Sequence, residues 1–314
     1  MSLELFYELL LGLLVLAAAS WSVATRDSYS ATVGFVSYGL LMALVWMQLQ
    51  AVDVALAEAA IGSGLTGLLL LGAAARLRAA EARVTTRPSR ELRAVAALAC
   101  AGLSAALAAT VLSLPQSTPS LAGAAVTALP ATGLGNPVNG VLMAFRAFDT
   151  LLEKVVLVLS LVGVWSLAPD LGWTGRPRLL HPFADDGVLP FLARTLPPLG
   201  LLFGLHLMWN GADEPGGAFQ GATVIAAMWL LVLMAGLGEV PQVRARWLRV
   251  AAIAGPATFL AVGLAGMGIA GAFLAYPEDH AKSLILFIEV PMMLTVALVL
   301  ALLVAGPPEQ APQR

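Results

Sequence analysis

The sequence predicts an all-α integral membrane protein of about nine transmembrane helices, with its N-terminus outside and its C-terminus in the cytoplasm. Three observations predict it. Of the 314 residues, 59% are hydrophobic and only 11% charged, and the mean hydropathy is +0.87, whereas soluble domains average about 45–50% apolar and about 25% charged. The apolar residues gather in runs of roughly the 20 residues that cross a bilayer as a helix, too continuous for the short alternating strands of a barrel. The basic residues, finally, fall almost entirely in every second loop. With the chain consumed by spans, no catalytic domain is expected. A net charge of −2 gives no footprint for nucleic acid. The single cysteine, Cys100, cannot form an internal disulfide, and three separated histidines without a C-x-x-C pair offer neither a zinc nor an iron–sulfur site. No cofactor is expected.

Taken in order, the first run, Leu3 to Thr25, opens with Glu4 and Glu8 in place of a positive n-region, so it reads as a retained span and not a cleaved signal. Ser30 to Gln48 carries no charge at all. Val54 to Arg76 opens with carboxylates and ends among arginines, and Ala94 to Leu114 is rich in helix-forming Ala and Leu. Pro115 to Gly140, rich in Pro, Ser, Thr, Ala and Gly, reads as an irregular external loop, as does Pro169 to Gly187 on the other side. Between them lies the span Leu151 to Ala168. The remaining runs are Leu189 to Trp209, Phe219 to Leu237, Val250 to Leu274 and Leu284 to Ala305. The two long connections divide the chain into 1–114 with four helices, 115–170 with one, and 171–314 with four.

Orientation follows from Lys and Arg, which collect in short cytoplasmic loops. The most basic connection holds Arg76, Arg78, Arg83, Arg87, Arg90 and Arg93; placing it in the cytoplasm puts every cation inside except Arg146, Lys154 and Lys282.

Ionisable residues at membrane depth are costly and usually face a bundle interior or a water-filled path. In DVALAEAAIGSGLTG, Asp53 lies at the outer boundary and Glu58 about 8 Å deeper, at the helical rise per residue. Five residues separate them by roughly 140° around the helix, so they do not share a face. Glu58, flanked by Ala, Leu, Ile and Gly, is either poised to exchange a proton or a neutral tie between helices. Asp53 is a second relay candidate or a boundary cap. Gly62, Gly64 and Gly67 below them permit close helix approach or a local break. FRAFDTLLEK places Arg146, Asp149, Glu153 and Lys154 at the start of the fifth span. Asp149 and Glu153, four residues apart, share a face toward a partner chain or polar cavity, or else cap the interface with snorkelling cations. Pro215, Gly216 and Gly217 demand a tight turn with positive-φ positions, serving either a helix hairpin or a subunit contact. Glu289, beside Pro291, is a further carboxylate within apolar surroundings, helix tie or relay member.

DVALAEAAIGSGL resembles the D-V-A-L-T-E-A-A-V-G-x-G-L segment of small membrane subunits in Mrp-type multisubunit cation/proton antiporters and membrane-bound hydrogenases, which also forms the C-terminal part of the antiporter A subunit. VNGVLMAFRAFDTLLEKVVL is similar to the segment that follows it there, and LPPLGLLFGLHLMWNGADEPGGAFQGATVIAA resembles the antiporter B subunit, with its P-G-G-G-F-Q-G turn. The resemblance implies an A-subunit tail joined to a B subunit: an accessory membrane subunit of an Mrp-like antiporter or related complex-I-like assembly in the cell membrane. It would contribute to Na+ or H+ movement beside other membrane subunits. The alternative is a structural scaffold in a hydrogenase-like or other respiratory complex. By position, the family's motif residues fall on Asp53 and Glu58, on Arg146, Asp149 and Glu153, and on Pro215, Gly216, Gly217, Phe219 and Gln220. Ala57, Ala144 and Ala218 depart from the pattern, and IEVPM keeps an acid at Glu289 but puts Pro291 where glycine is usual.

The charge split makes a direct prediction. With Cys100 replaced by Ser, cysteines introduced between Arg83 and Arg90 should label from the cytoplasm and cysteines between Asp213 and Gly217 from outside. Labelling of both from one side would disprove the span count.

Overall fold

The computed structural model describes residues 3–81, 89–115, 120–169, 175–177 and 187–309. Helices α1 (Leu3–Ala24) and α2 (Ser28–Gln48) form an antiparallel hairpin. Asp27 caps α2, accepting the Ser30 N–H at 2.8 Å and its hydroxyl at 2.6 Å, and these bonds hold the Asp27 carboxyl below the usual carboxylate range. Helix α3 (Val52–Ala57) runs into a π-helical segment, Glu58–Leu65, and on into α4 (Thr66–Glu81). Together they make one apolar rod against α2, close enough that a Cβ on Gly67 would lie 2.4 Å from Val36 Cγ2. Helix α5 (Arg90–Ser113), capped by the Ser89 hydroxyl, buries no residue against the rest of the chain.

The segment expected to be an irregular loop from Pro115 to Gly140 is largely structured. It holds α6 (Ala122–Ala128), a 3-10 turn at Leu129–Thr132 and α7 (Pro137–Gly140). Alanine supplies the propensity for α6, and Asn136 caps α7 with Pro137 at the first helical position. Of the second expected loop, 170–174 and 178–186 lie outside the described residues. A second π-helical segment, Val141–Phe145, leads into α8 (Ala147–Ser166). Helices α9 (Val188–Asn210), α10 (Ala218–Met234), α11 (Arg246–Ile269) and α12 (Ala281–Ala305) complete the bundle.

Seven helices among the described residues are long and apolar enough to cross a membrane. The other two expected spans are helical too. Helix α8 carries Asp149, Glu153 and Lys154 in its first turns, and α10 has 17 residues, a little short of the roughly 20 of a full span.

Helix α12 is the hub. Most of it is buried, with Val299 and Leu302 packed against Leu161 and Trp165 of α8 and Leu248 of α11. Ile285 and Met292 meet Met143, Leu151 and Phe259, while Met293 and Leu300 meet Ala222 and Ala226 of α10. Because lipid tails are as apolar as leucine, helices in a bilayer are held by close packing and internal hydrogen bonds. Both devices are present. The Thr295 hydroxyl inserts into α11, accepting the Gly255 N–H at 2.9 Å and donating to the Ala251 carbonyl at 2.7 Å, next to Pro256. Gly204 and Gly221 bring α9 and α10 into backbone contact.

The connections gather at two ends. At one, the Gly135 and Asn136 N–H groups donate to the Ala212 carbonyl at 3.0 and 3.1 Å, and Lys282 binds Asp213 at 2.6 Å. At the other, Arg176 pairs with Glu239, and β1 (Arg176–Pro177) lies antiparallel to β2 (Pro308–Glu309).

A Cβ on Gly221 would sit 2.4 Å from the Gly204 carbonyl oxygen, whereas one on Gly163 of α8 meets nothing within 4 Å. Gly221→Val should therefore cost about 1–3 kcal/mol through overpacking, read as a lower unfolding midpoint of the detergent-solubilised chain. Gly163→Ala should leave the midpoint unchanged or raise it. Equal midpoints for Gly221→Val and the parent would refute the tight α9–α10 seam.

Candidate functional site

The site is built around the turn between α9 and α10. Gly216 and Gly217 take φ of 155° and 130°, and the Gly217 N–H returns to the Leu207 carbonyl at 2.8 Å. The turn closes backbone on backbone: a Cβ on Gly216 would lie 2.5 Å from that carbonyl oxygen. The closure leaves the Gly216 N–H free to donate to Asp53 Oδ1 at 2.9 Å. Asn136 completes the knot. Its side-chain amide donates to the carbonyls of Gly211 at 3.2 Å and Glu214 at 3.0 Å and reaches Asp53 at 3.4 Å, while its Oδ1 accepts the Val138 N–H at 2.9 Å. Asn139 adds a bond to the Gly211 carbonyl at 3.0 Å. Asp53, Asn136 and Asn139 are all buried. One carboxylate thus ties the third apolar rod, the 115–146 segment and the α9–α10 turn together.

Below this knot lies a cavity of about 210 Å³. Asp53, Ala57 and Ile61 line one wall, Leu142, Met143, Glu153 and Lys154 a second, and Gly217, Phe219, Gln220 and Glu289 a third. The first and second π-helical segments each contribute to it, and such segments, which add a residue to a helical turn, recur at functional sites. At the junction of the second with α8, the Thr150 hydroxyl satisfies the Leu142 carbonyl at 2.6 Å.

Lys154 is 4% exposed although its head carries a charge. Its Nζ binds Glu153 Oε1 at 2.8 Å and stands 4.5 Å from the centre of the Phe219 ring, a cation–π contact. Glu289, 3% exposed, lies within reach of the Asn139 amide, the Ala218 N–H and the Lys154 charge, yet its Oε2 has no hydrogen-bond partner. Buried charge is costly unless paired, so these groups form one electrostatic unit: the Lys154 ammonium, the buried Glu289 carboxylate and the partly exposed Glu153.

The residues singled out in the sequence divide accordingly. Asp53, Glu153, Glu289, Gly216, Gly217, Phe219 and Gln220 line the one cavity, and Pro215 opens the turn above it. Glu58 is not among the lining residues: its carboxylate folds back over Gly62 and toward Gly39 of α2, where Cβ atoms would come within 2.2 and 3.2 Å of its Oε1. Arg146 and Asp149 pair with each other at the surface. Asn136 and Asn139, which the sequence did not single out, complete the site, as does Lys154, which it placed at the start of the fifth span only among possible snorkelling cations. The rule that intramembrane charges are functional applies to Lys154 as it does to Glu58, and the Asn136-Pro137 pair is a helix-start signal.

Two regions of the chain match family models: residues 13–79 match MbhD, a component of MBH, and residues 188–306 match a domain related to the MnhB subunit of Na+/H+ antiporter. An uncharacterized protein of Methanocaldococcus jannaschii is 30% identical over 154 residues, 44% of this chain and 59% of that protein. The chain thus spans about three-fifths of this relative. Among solved structures, the Mrp complex from Dietzia sp. DQ12-45-1b superposes with a TM-score of 0.74 at 26% identity, over 97% of this chain and 35% of that one. The membrane-bound sulfane sulfur reductase, an archaeal respiratory membrane complex, shares the fold with a TM-score of 0.56 at 24% identity, over 68% of this chain and 96% of that one.

The knot has a measurable energy. Asp53→Ala strands the buried Gly216 N–H, a loss of about 1–3 kcal/mol, and should lower the unfolding midpoint and the amount of assembled complex on native gels. Asp53→Asn, which keeps a carbonyl acceptor, should recover most of it, and Gly216→Val should be worse than either because a β-branched residue resists φ > 0. Normal assembly of both Asp53→Ala and Gly216→Val would show that the knot holds nothing.

Proposed function

We propose that this chain, which joins an MbhD-type region to an MnhB-type domain in the cell membrane, is an accessory subunit of a cation/proton antiporter-like complex, and that its charged cavity is a station on the ion or proton path. One observation carries the reading: the buried side chains of Lys154 and Glu289 line one cavity where the three blocks 1–114, 115–170 and 171–314 meet. A scaffold needs no such group. An ammonium and a carboxylate kept from water at the centre of a bundle are expensive unless their charge is used, and together they can trade a proton without changing the net charge of the site. Glu289 holds one oxygen free to accept it. Glu58, on the α2 side of the first π-helical segment, is the next group toward the N-terminal hairpin and is assigned to the same path. The chain carries no catalytic site of its own; its partners are the other membrane subunits, with the basic connections facing the cytoplasm.

A second reading has specific support. Asp53 bound to Gly216, and Asp213 bound to Lys282, are ties between segments distant in sequence, as a scaffold requires. The two readings part at the charges of Glu289 and Lys154, which a scaffold does not require.

Glu289→Gln and Lys154→Met should assemble at parental abundance yet lower cation-driven proton movement in everted membrane vesicles by about a hundredfold or more, as expected when a proton-transfer group is removed. Glu58→Gln should also reduce it, with Glu58→Asp retaining part. Parental transport by both Glu289→Gln and Lys154→Met at equal abundance would leave the scaffold reading standing.

A further inference from the structure

We infer that an apolar crevice between the third apolar rod and α10 binds one anionic phospholipid, with an acyl chain lying along α10 and the phosphate held by Arg76. The crevice is separate from the charged cavity. It measures about 280 Å³ and is walled by Ala60, Gly64 and Leu68 of the rod and by Thr223, Ala227 and Met234 of α10, with further leucines between them.

The lining decides the chemistry of the occupant. Thr223 brings the one side-chain hydroxyl of these walls, and it donates to the Gln220 carbonyl at 2.8 Å; the other lining residues are Ala, Gly, Leu and Met. Water gains nothing from such walls, whereas an apolar cavity of about 150 Å³ already takes a small hydrocarbon. Its length suits a chain: the eleven residue steps from Thr223 to Met234 cover about 16 Å, close to half of a hydrocarbon core of about 30 Å. A helix of another subunit, about 10 Å across, is too thick to enter.

The headgroup end follows from the i, i+4 row of Leu68, Gly72 and Arg76. On the rod the lining stops at Leu68, while on α10 it runs on to Met234, and a Cβ on Gly72 would meet nothing within 4 Å. Gly72 thus leaves a passage from the crevice to Arg76. Twenty-three residue steps, about 34 Å, separate Asp53 from Arg76, so with Asp53 at one boundary of the hydrocarbon Arg76 stands at the other. Arg76 is exposed and makes no ion pair among the described residues, whereas Arg78 has the Asp27 carboxylate within electrostatic reach. A guanidinium at a bilayer boundary, beside an apolar crevice and with no carboxylate of its own, matches the oxygens of a lipid phosphate.

The test uses the full chain in detergent, with dioleoyl phosphatidylglycerol as the anionic probe and dioleoyl phosphatidylcholine as its zwitterionic control. The unfolding midpoint of the parent should rise several degrees further with the first lipid than with the second, since a ligand that binds only the folded state raises the midpoint. Native mass spectra should retain one phosphatidylglycerol per chain. Arg76→Gln should respond to the two lipids equally. Gly72→Phe, whose ring enters open space and leaves the fold intact, and Ala227→Phe, which fills the crevice from the α10 side, should each lose the retained lipid and the extra rise. Equal responses of the parent to the two lipids overturn the inference, and so does a phosphatidylglycerol preference that survives Arg76→Gln or both phenylalanine variants. Cross-linking of Gly72→Cys, with Cys100 replaced by Ser, to another subunit of the assembled complex would give the crevice to that subunit and overturn it as well. These outcomes do not involve Glu289 or Lys154, so transport by their variants, lost or kept, leaves the lipid result in force.

Discussion

The hydrogen bond from the Gly216 N–H to the Asp53 carboxylate is the contact on which the arrangement of the described helices turns. A donor and an acceptor buried inside the protein must find each other, because no water reaches them there. Satisfying this pair places the start of α3 against the α9–α10 turn, and Asn136, wedged between them, brings in the segment that leads to α8. Once those segments converge, the cavity beneath them is determined. Its walls are α3 with the first π-helical segment, the second π-helical segment with α8, and α10 with α12.

The turn itself follows from steric exclusion more than from any side chain. Gly211, Gly216 and Leu207 approach so closely that only hydrogen fits at the two glycines. Side chains add charge and specificity around a backbone already committed. The same division holds at the seam of α11 and α12, where Thr295 completes hydrogen bonds that the α11 backbone leaves open near Pro256.

Much of this was legible in the sequence, and the illegible parts share a physical cause. Each apolar run is helical because a bilayer-length stretch has no other way to satisfy its backbone. Pro215-Gly216-Gly217 reads as a positive-φ turn because only glycine takes those angles cheaply, and the roughly 140° between Asp53 and Glu58 reappears as two carboxylates on opposite sides of one rod. Hydropathy, however, carries no information about hydrogen-bond register, so the π-helical geometry itself was not visible, although Gly62 and Gly64 pointed to close approach or a local break at the first segment. Lys154, next to Glu153 at a span boundary, has the local sequence of a snorkelling cation; its burial is decided by Phe219 and Glu289, distant in sequence. Asn136 and Asn139 sit in a stretch whose composition is that of a loop, and their value lies in carbonyls some 75 residues away. The helical turns of 120–140 were hidden in the same way, since their cap and proline count for little until the turn they grip is in place.

Asp53 and Gly216 stand 163 residues apart on one polypeptide, and this has a consequence for assembly. On separate chains the two halves would have to meet by diffusion in the membrane, in competition with every other surface there and at whatever ratio translation delivered them. Joined, they search only the volume their connection allows, at an effective concentration above that of two free chains. Each molecule synthesised then carries both halves in a ratio of one to one, and the buried knot can close during insertion, before any other subunit arrives.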